Sequence, residues 1–117
     1  MDFKLLVRFQ DVHLRYGSGP DVLHQVNLTL APGSFHFMVG PSGAGKSSLL
    51  RLMYLAHRPS SGRLSIFGRD VSQQDRKELT MLRRRIGIIF QDFRLLDHLT
   101  ALENVALPLT ITGQSLD

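Results

Sequence analysis

Gly40-Pro41-Ser42-Gly43-Ala44-Gly45-Lys46-Ser47-Ser48 lies between an apolar run, Phe35-His36-Phe37-Met38-Val39, and an apolar stripe at helical spacing, Leu49, Leu50, Leu52, Met53 and Leu55. The stretch satisfies G-x-x-x-x-G-K-[ST], the phosphate-binding (Walker A) pattern, with the strand before it and the helix after it that the pattern requires. The chemistry needs these residue types. Gly40, Gly43 and Gly45 let backbone N–H groups converge on one concavity, and the start of the helix adds its dipole at the same point. Lys46 reaches the β- and γ-phosphates as a point charge, Ser47 can enter the coordination shell of Mg²⁺, and Ser48 can donate to the α-phosphate. Mg²⁺–nucleotide binding is the expectation.

Upstream, residues 5–14 mix apolar and polar positions as a strand does, and Gly17-Ser18-Gly19-Pro20 breaks it. Val22, His24, Val26, Leu28 and Leu30 alternate onto one face of a second strand. Ala31-Pro32-Gly33-Ser34 is tight enough to pair that strand with residues 35–39 as a hairpin. The run 35–39 itself reads as a strand buried on both faces, as in a helix-covered parallel sheet. Downstream, Pro59 and Ser60-Ser61-Gly62 stop the helix, and residues 64–67 form a short strand ending at Gly68. Ser72 as N-cap and Asp75 as first-turn acid open a basic helix ending near Arg84. Residues 86–90 are another buried-type strand. Thr100 with Glu103 fits a capping box for a helix that Pro108 terminates. The tail, 110–117, reads as the start of a linker.

The whole chain has 117 residues, room for one modest domain. Hydrophobic residues are 43% and charged residues 21%, a globular composition. With no Cys, disulfide scaffolds, thiolate metal sites and cysteine nucleophiles are excluded. No run approaches the roughly 18 apolar residues of a membrane span, so membrane contact is expected to be peripheral. The net charge of +4 is local: residues 51–94 hold ten basic side chains against four acids, +6, and the remainder holds −2. That excess suits phosphate, but no aromatic residues interleave the arginines, so it reads as a solvated helix face and nucleic acid is not expected. The five histidines (His13, His24, His36, His57, His98) show no metal spacing and read as structural. No Ser-His-Asp arrangement has a G-x-S-x-G context.

Five linked stretches carry a family resemblance. Residues 9–17, ending in Arg15-Tyr16-Gly17, resemble the opening of ABC-type ATPase subunits. Residues 41–50 are similar to their Walker A, Pro59-Ser60-Ser61-Gly62 to their P-x-x-G turn, Arg84-Arg85-Ile86-Gly87-Ile88-Ile89-Phe90-Gln91 to their Q-loop strand, and residues 99–105 to the stretch after it. The resemblance implies an α/β P-loop NTPase fold, with antiparallel β strands beside the start of a parallel core sheet. It also implies ATP and Mg²⁺ as ligands, Tyr16 stacking on adenine, and Gln91 touching Mg²⁺ or the attacking water. Residues 83–96 are especially similar to the FtsE, or cell-division, type. That type implies a peripheral ATPase on the cytoplasmic face of the inner membrane, dimeric when complete, paired with an FtsX-like transmembrane subunit. Residues 92–107 would then face the partner's coupling helix, and Arg83, Arg84 and Arg85 the partner or lipid.

The LolD and MacB transporter types are close alternatives. Residues 86–92 also admit a kinase-like Walker B reading with Asp92 as the Mg²⁺ anchor, which the intervening Gln91 and the flanking matches oppose. A GTPase lacks its N-K-x-D. The family's L-S-G-G-Q signature, Walker B aspartate, catalytic glutamate and switch histidine are not found in residues 1–117. The chain is therefore expected to be the N-terminal portion of one nucleotide-binding domain, and a non-catalytic nucleotide-binding fragment by itself.

Overall fold

A computed structural model describes residues 5–41, 43, 45–89 and 96–111. The chain divides into two compact units, Met1–Arg83 and Arg84–Asp117.

The first unit is built on a four-stranded antiparallel sheet in the order β2-β1-β3-β4: β1 Val7–Arg15, β2 Asp21–Leu30, β3 Ser61–Ile66 and β4 Arg69–Asp70. Phe9, Val12 and Leu14 of β1 and Leu64 and Ile66 of β3 are buried, joined by Leu23, Leu52, Leu55, Val71, Leu79 and Leu82. Burying such side chains is worth about 1.5–3 kcal/mol each, the main force holding the unit together. A bulge interrupts β1. Asp11 has φ 48°, and its N–H donates to Asn27 Oδ1 at 3.0 Å while Asn27 Nδ2 returns a bond to the Asp11 carboxylate at 3.1 Å. Opposite the bulge lies Gly62, where a Cβ would stand 2.1 Å from the Asp11 carbonyl oxygen, so only glycine fits.

The strand expected over Val22, His24, Val26, Leu28 and Leu30 is present, but its alternation slips. Gln25 has φ 46°, the register shifts there, and Leu23 is buried while Val22 is exposed. An extra residue flips every side chain beyond it to the other face.

α1, Lys46–Met53, follows the glycine-rich loop. A 3₁₀ turn at Val71–Gln73 is capped by the Asp70 side chain, and α2, Arg76–Arg83, comes after it. The N-cap of the basic helix is Asp75, not Ser72. Asp75 Oδ1 accepts from Glu78 N at 2.8 Å and Glu78 Oε2 accepts from Asp75 N at 3.1 Å, a complete capping box. Ser72 is instead bound to Asp70 Oδ1 through both its N–H and its hydroxyl.

Two expected strands do not form. Residues 35–39 carry no ladder, and Phe35, Phe37 and Val39 are 82%, 84% and 87% exposed; no hairpin with β2 exists there. Residues 86–89 likewise have no strand, and Ile89 is fully exposed. An extended apolar segment becomes a strand only where a neighbour takes its N–H and C=O groups, and no described residues do so here. Phe90 lies outside the described residues.

In the second unit α3 runs Ala101–Ile111. The expected capping box is present: Glu103 N donates to Thr100 Oγ1 at 3.1 Å and Thr100 N to Glu103 Oε1 at 2.9 Å. The Thr100 N–H, with a further contribution from the Thr100 side chain, holds the Glu103 carboxyl below the usual carboxylate range. Pro108 does not end the helix. Its missing N–H removes one rung, and the backbone stays helical to Ile111. No helix among the described residues is long and apolar enough to cross a membrane.

Candidate functional site

The glycine-rich loop enters α1 through Gly45, the N-cap, at φ 90° and ψ 11°. A side chain there would be strained by the backbone angle and would meet Leu23 Cδ2 at 2.8 Å and the Val22 carbonyl oxygen at 3.1 Å. Glycine therefore seats the helix start directly against β2. It also offers no side-chain cap, so among the described residues no capping side chain competes with an outside acceptor for the first turn's N–H groups.

Lys46 opens the helix, and its Nζ turns back to donate to the carbonyl oxygen of Gly40, closing the loop on itself. Ser47 beside it is exposed. Ser48 is buried, 8% exposed, and its hydroxyl is hydrogen-bonded to the phenol of Tyr16 at 2.9 Å. The bond from Ser48, with a further contribution from the Arg51 guanidinium, holds the Tyr16 phenol below its ordinary value. The Tyr16 ring stands edge-on to His57, centroids 5.2 Å apart at 72°.

The structure thus brings Tyr16, Gly40, Gly43, Gly45, Lys46, Ser47 and Ser48 into one neighbourhood, with Pro41 exposed in the same loop. Ser42, Ala44 and Gln91 lie outside the described residues. His57 and Arg51 were not legible as neighbours of Tyr16: only the return of α1 and the turn after it places them there. A second constellation lies apart from the loop. His13, Asp21 and His24 stand together at the β1–β2 hairpin, with His13 Nδ1 3.0 Å and His24 Nδ1 3.6 Å from Asp21 Oδ2. His13 is the main cause of an Asp21 carboxyl pKa below the usual range. The shifted register between Val12–Val26 and Leu14–Leu23 is what sets residues 13 and 24 side by side.

The family model described as ABC transporter matches residues 23–116. The cell division ATP-binding protein FtsE of Bacillus subtilis (strain 168) is 38% identical over 93% of this chain and 48% of its own length. The methionine import ATP-binding protein MetN of Chromohalobacter salexigens is 41% identical over 94% of this chain and 33% of its own length. Among solved structures, a dimeric ATP-binding cassette in a post-hydrolysis state bound to ADP and Pi superposes with a TM-score of 0.78 at 38% identity, covering 90% of this chain and 47% of that one. The chain spans about half the length of the FtsE relative and a third of the MetN relative.

Proposed function

The chain belongs to the ABC transporter family, with its α/β nucleotide-binding fold, and on that premise we propose that it binds Mg-ATP through residues 40–48. The observation that carries this reading is the Gly45 cap: left-handed, without a side-chain bond, at the head of α1 and beside Lys46. Such an opening fits a polyphosphate, because the first-turn N–H groups and the helix dipole attract negative charge.

On binding, Lys46 would exchange the Gly40 carbonyl for phosphate oxygens, a better partner for an ammonium group. Ser47, exposed at the second helical position, would present its hydroxyl to Mg²⁺. Mg²⁺, when bound, screens the charge of the phosphates. Tyr16 would supply the aromatic surface for adenine; its support is the ring's tether to Ser48 on α1. Ser48 would have to release that tether to donate to the α-phosphate. Gln91 is proposed to contact Mg²⁺ or the attacking water. In the complete protein the reaction would be ATP hydrolysis to ADP and phosphate, driven by in-line attack of water.

The test is a titration of the chain with a fluorescent ATP analogue and Mg²⁺, beside Lys46→Ala. The expected result is saturable binding that weakens at least about tenfold in the variant, the loss of one charge-assisted contact. Equal affinity in the two proteins would overturn the reading.

The finer proposal is an FtsE-type ATPase, homodimeric, peripheral on the cytoplasmic face of the inner membrane, coupling ATP hydrolysis to cell division through an FtsX-like transmembrane partner. The Bacillus relative and the similarity over residues 83–96 support it. The MetN relative, at comparable identity, supports an import ATPase as the second reading. The membrane protein that co-purifies with the full-length protein decides between them.

A further inference from the structure

Three side chains that take no part in the nucleotide loop converge at the β1–β2 hairpin. His13 projects from β1, and Asp21 and His24 from β2, just across the turn at residues 17–20. Both imidazoles direct Nδ1 at the same atom, Asp21 Oδ2, at 3.0 and 3.6 Å, and the three donor atoms all lie within 4.8 Å of one another. The rings stand nearly perpendicular, 87°, with centroids 4.8 Å apart. A tetrahedral zinc ion with ligand bonds of about 2.0–2.1 Å spaces its donors about 3.3 Å apart, a value the two His–Asp separations bracket. Rotation of the exposed His24 ring brings the remaining pair, now within 4.8 Å, to the same spacing. The donors are also the right chemistry: two neutral imidazole nitrogens and one carboxylate oxygen form a borderline set that suits zinc, and leave a fourth position for water.

The backbone under these side chains is already fixed. Arg15 pairs with Asp21 and Leu14 with Leu23 in the ladder, and the His13 carbonyl accepts from Ser60 N at 2.9 Å. Little conformational freedom remains to be lost from the main chain when an ion binds. His24 keeps most of its side chain in solvent and Asp21 about a third, so the cluster is open to an ion from outside.

We propose that His13, Asp21 and His24 form a binding site for one zinc-class divalent cation, closed by water, separate from the Mg²⁺ position at the glycine-rich loop. The ion replaces the hydrogen bond between His13 and Asp21, with both Nδ1 atoms as lone-pair donors and the ring protons on Nε2. It ties together the two strands on either side of the turn that follows Tyr16.

The experiment is a titration of the metal-free full chain with zinc chloride against a chromophoric chelator, repeated with cobalt chloride for its visible ligand-field absorption. One ion per chain is expected, with a tetrahedral cobalt spectrum and a raised thermal midpoint. His13→Ala and His24→Ala should each weaken zinc binding at least tenfold, and Asp21→Asn should do the same while keeping a hydrogen-bonding side chain. His24, the most exposed of the three, gives the variant that keeps the fold; its circular dichroism should match the parent. His57→Ala and His98→Ala serve as controls and should leave affinity unchanged. Absence of stoichiometric zinc binding by the parent overturns the proposal, as does full affinity retained in His24→Ala.

Discussion

The strand Phe9 to Leu14 and the segment 35–39 invite comparison, because the second is the more apolar and yet the less buried. In β1, polar residues separate Phe9, Val12 and Leu14, which are all at most 2% exposed. In 35–39 nearly every residue is apolar, and Phe35 and Phe37 stay mostly in solvent, meeting edge to face with centroids 5.1 Å apart. What separates them is pairing. β1 has a neighbour on each side, from residues 21–30 and from residues 61–66 far along the chain, while no described element lies along 35–39. Apolar content says that a segment can be buried; a partner strand decides that it is.

The harshest way to break this comparison is to spoil the pairing of β1 itself. Gly62→Ala drives a Cβ into the backbone of Asp11 and Val12, with no flexible side chain to yield. The loss should reach at least about 3 kcal/mol, more than about 12 °C in Tm by scanning calorimetry. A variant that melts with the parent would show that the bulge is not what aligns β1 with β3.

A smaller effect separates local from distant bonding. The α3 capping box joins residues three apart and needs no distant partner. Its Glu103 carboxyl is held below the usual range by the Thr100 N–H, so the ionised form is favoured by the folded helix. That stabilisation is fully present above the unfolded value and is lost as pH falls through the folded one. Amide protection in α3 should therefore decline as the solution is acidified through the carboxylate range, before the β1–β3 ladder loosens. Glu103→Gln keeps a capping side chain but should abolish this acid step; its persistence in the variant would assign the step to another group.

The smallest effect is expected where the sequence is most apolar. Replacing Phe35 and Phe37 together by Ser removes two large side chains from solvent, not from the core, so Tm should stay within about 2 °C. Binding of a hydrophobic dye should fall. A destabilisation of the size seen for core Phe→Ala changes, about 3–5 kcal/mol, would mean that these rings are packed in solution.

What could be read from the residues alone follows the same division. The entry into α1 at Gly45 and the capping box at Thr100 and Glu103 are short-range patterns, and a helix starts after each as expected. Ser72 misled because Asp70, two residues earlier, captures it, leaving Asp75 and Glu78 to cap each other. Pro108 misled because one lost rung is not enough to stop a helix already started. The phase of β2 was beyond periodicity, since it depends on Gln25 taking a positive φ that no pattern of apolar residues announces. The same holds for the gathering of His13, Asp21 and His24, which waits on the hairpin's register.

The chain contains no tryptophan and two tyrosines, Tyr16 and Tyr54. With so few emitters, ultraviolet fluorescence becomes a private signal from two places, one of them a phenol joined to Ser48 at the head of α1. A phenol that loses a hydrogen-bond partner or gains an aromatic neighbour changes its emission. Tyr54→Phe would leave Tyr16 as sole reporter, and filling of the loop could then be timed optically on the unlabelled protein.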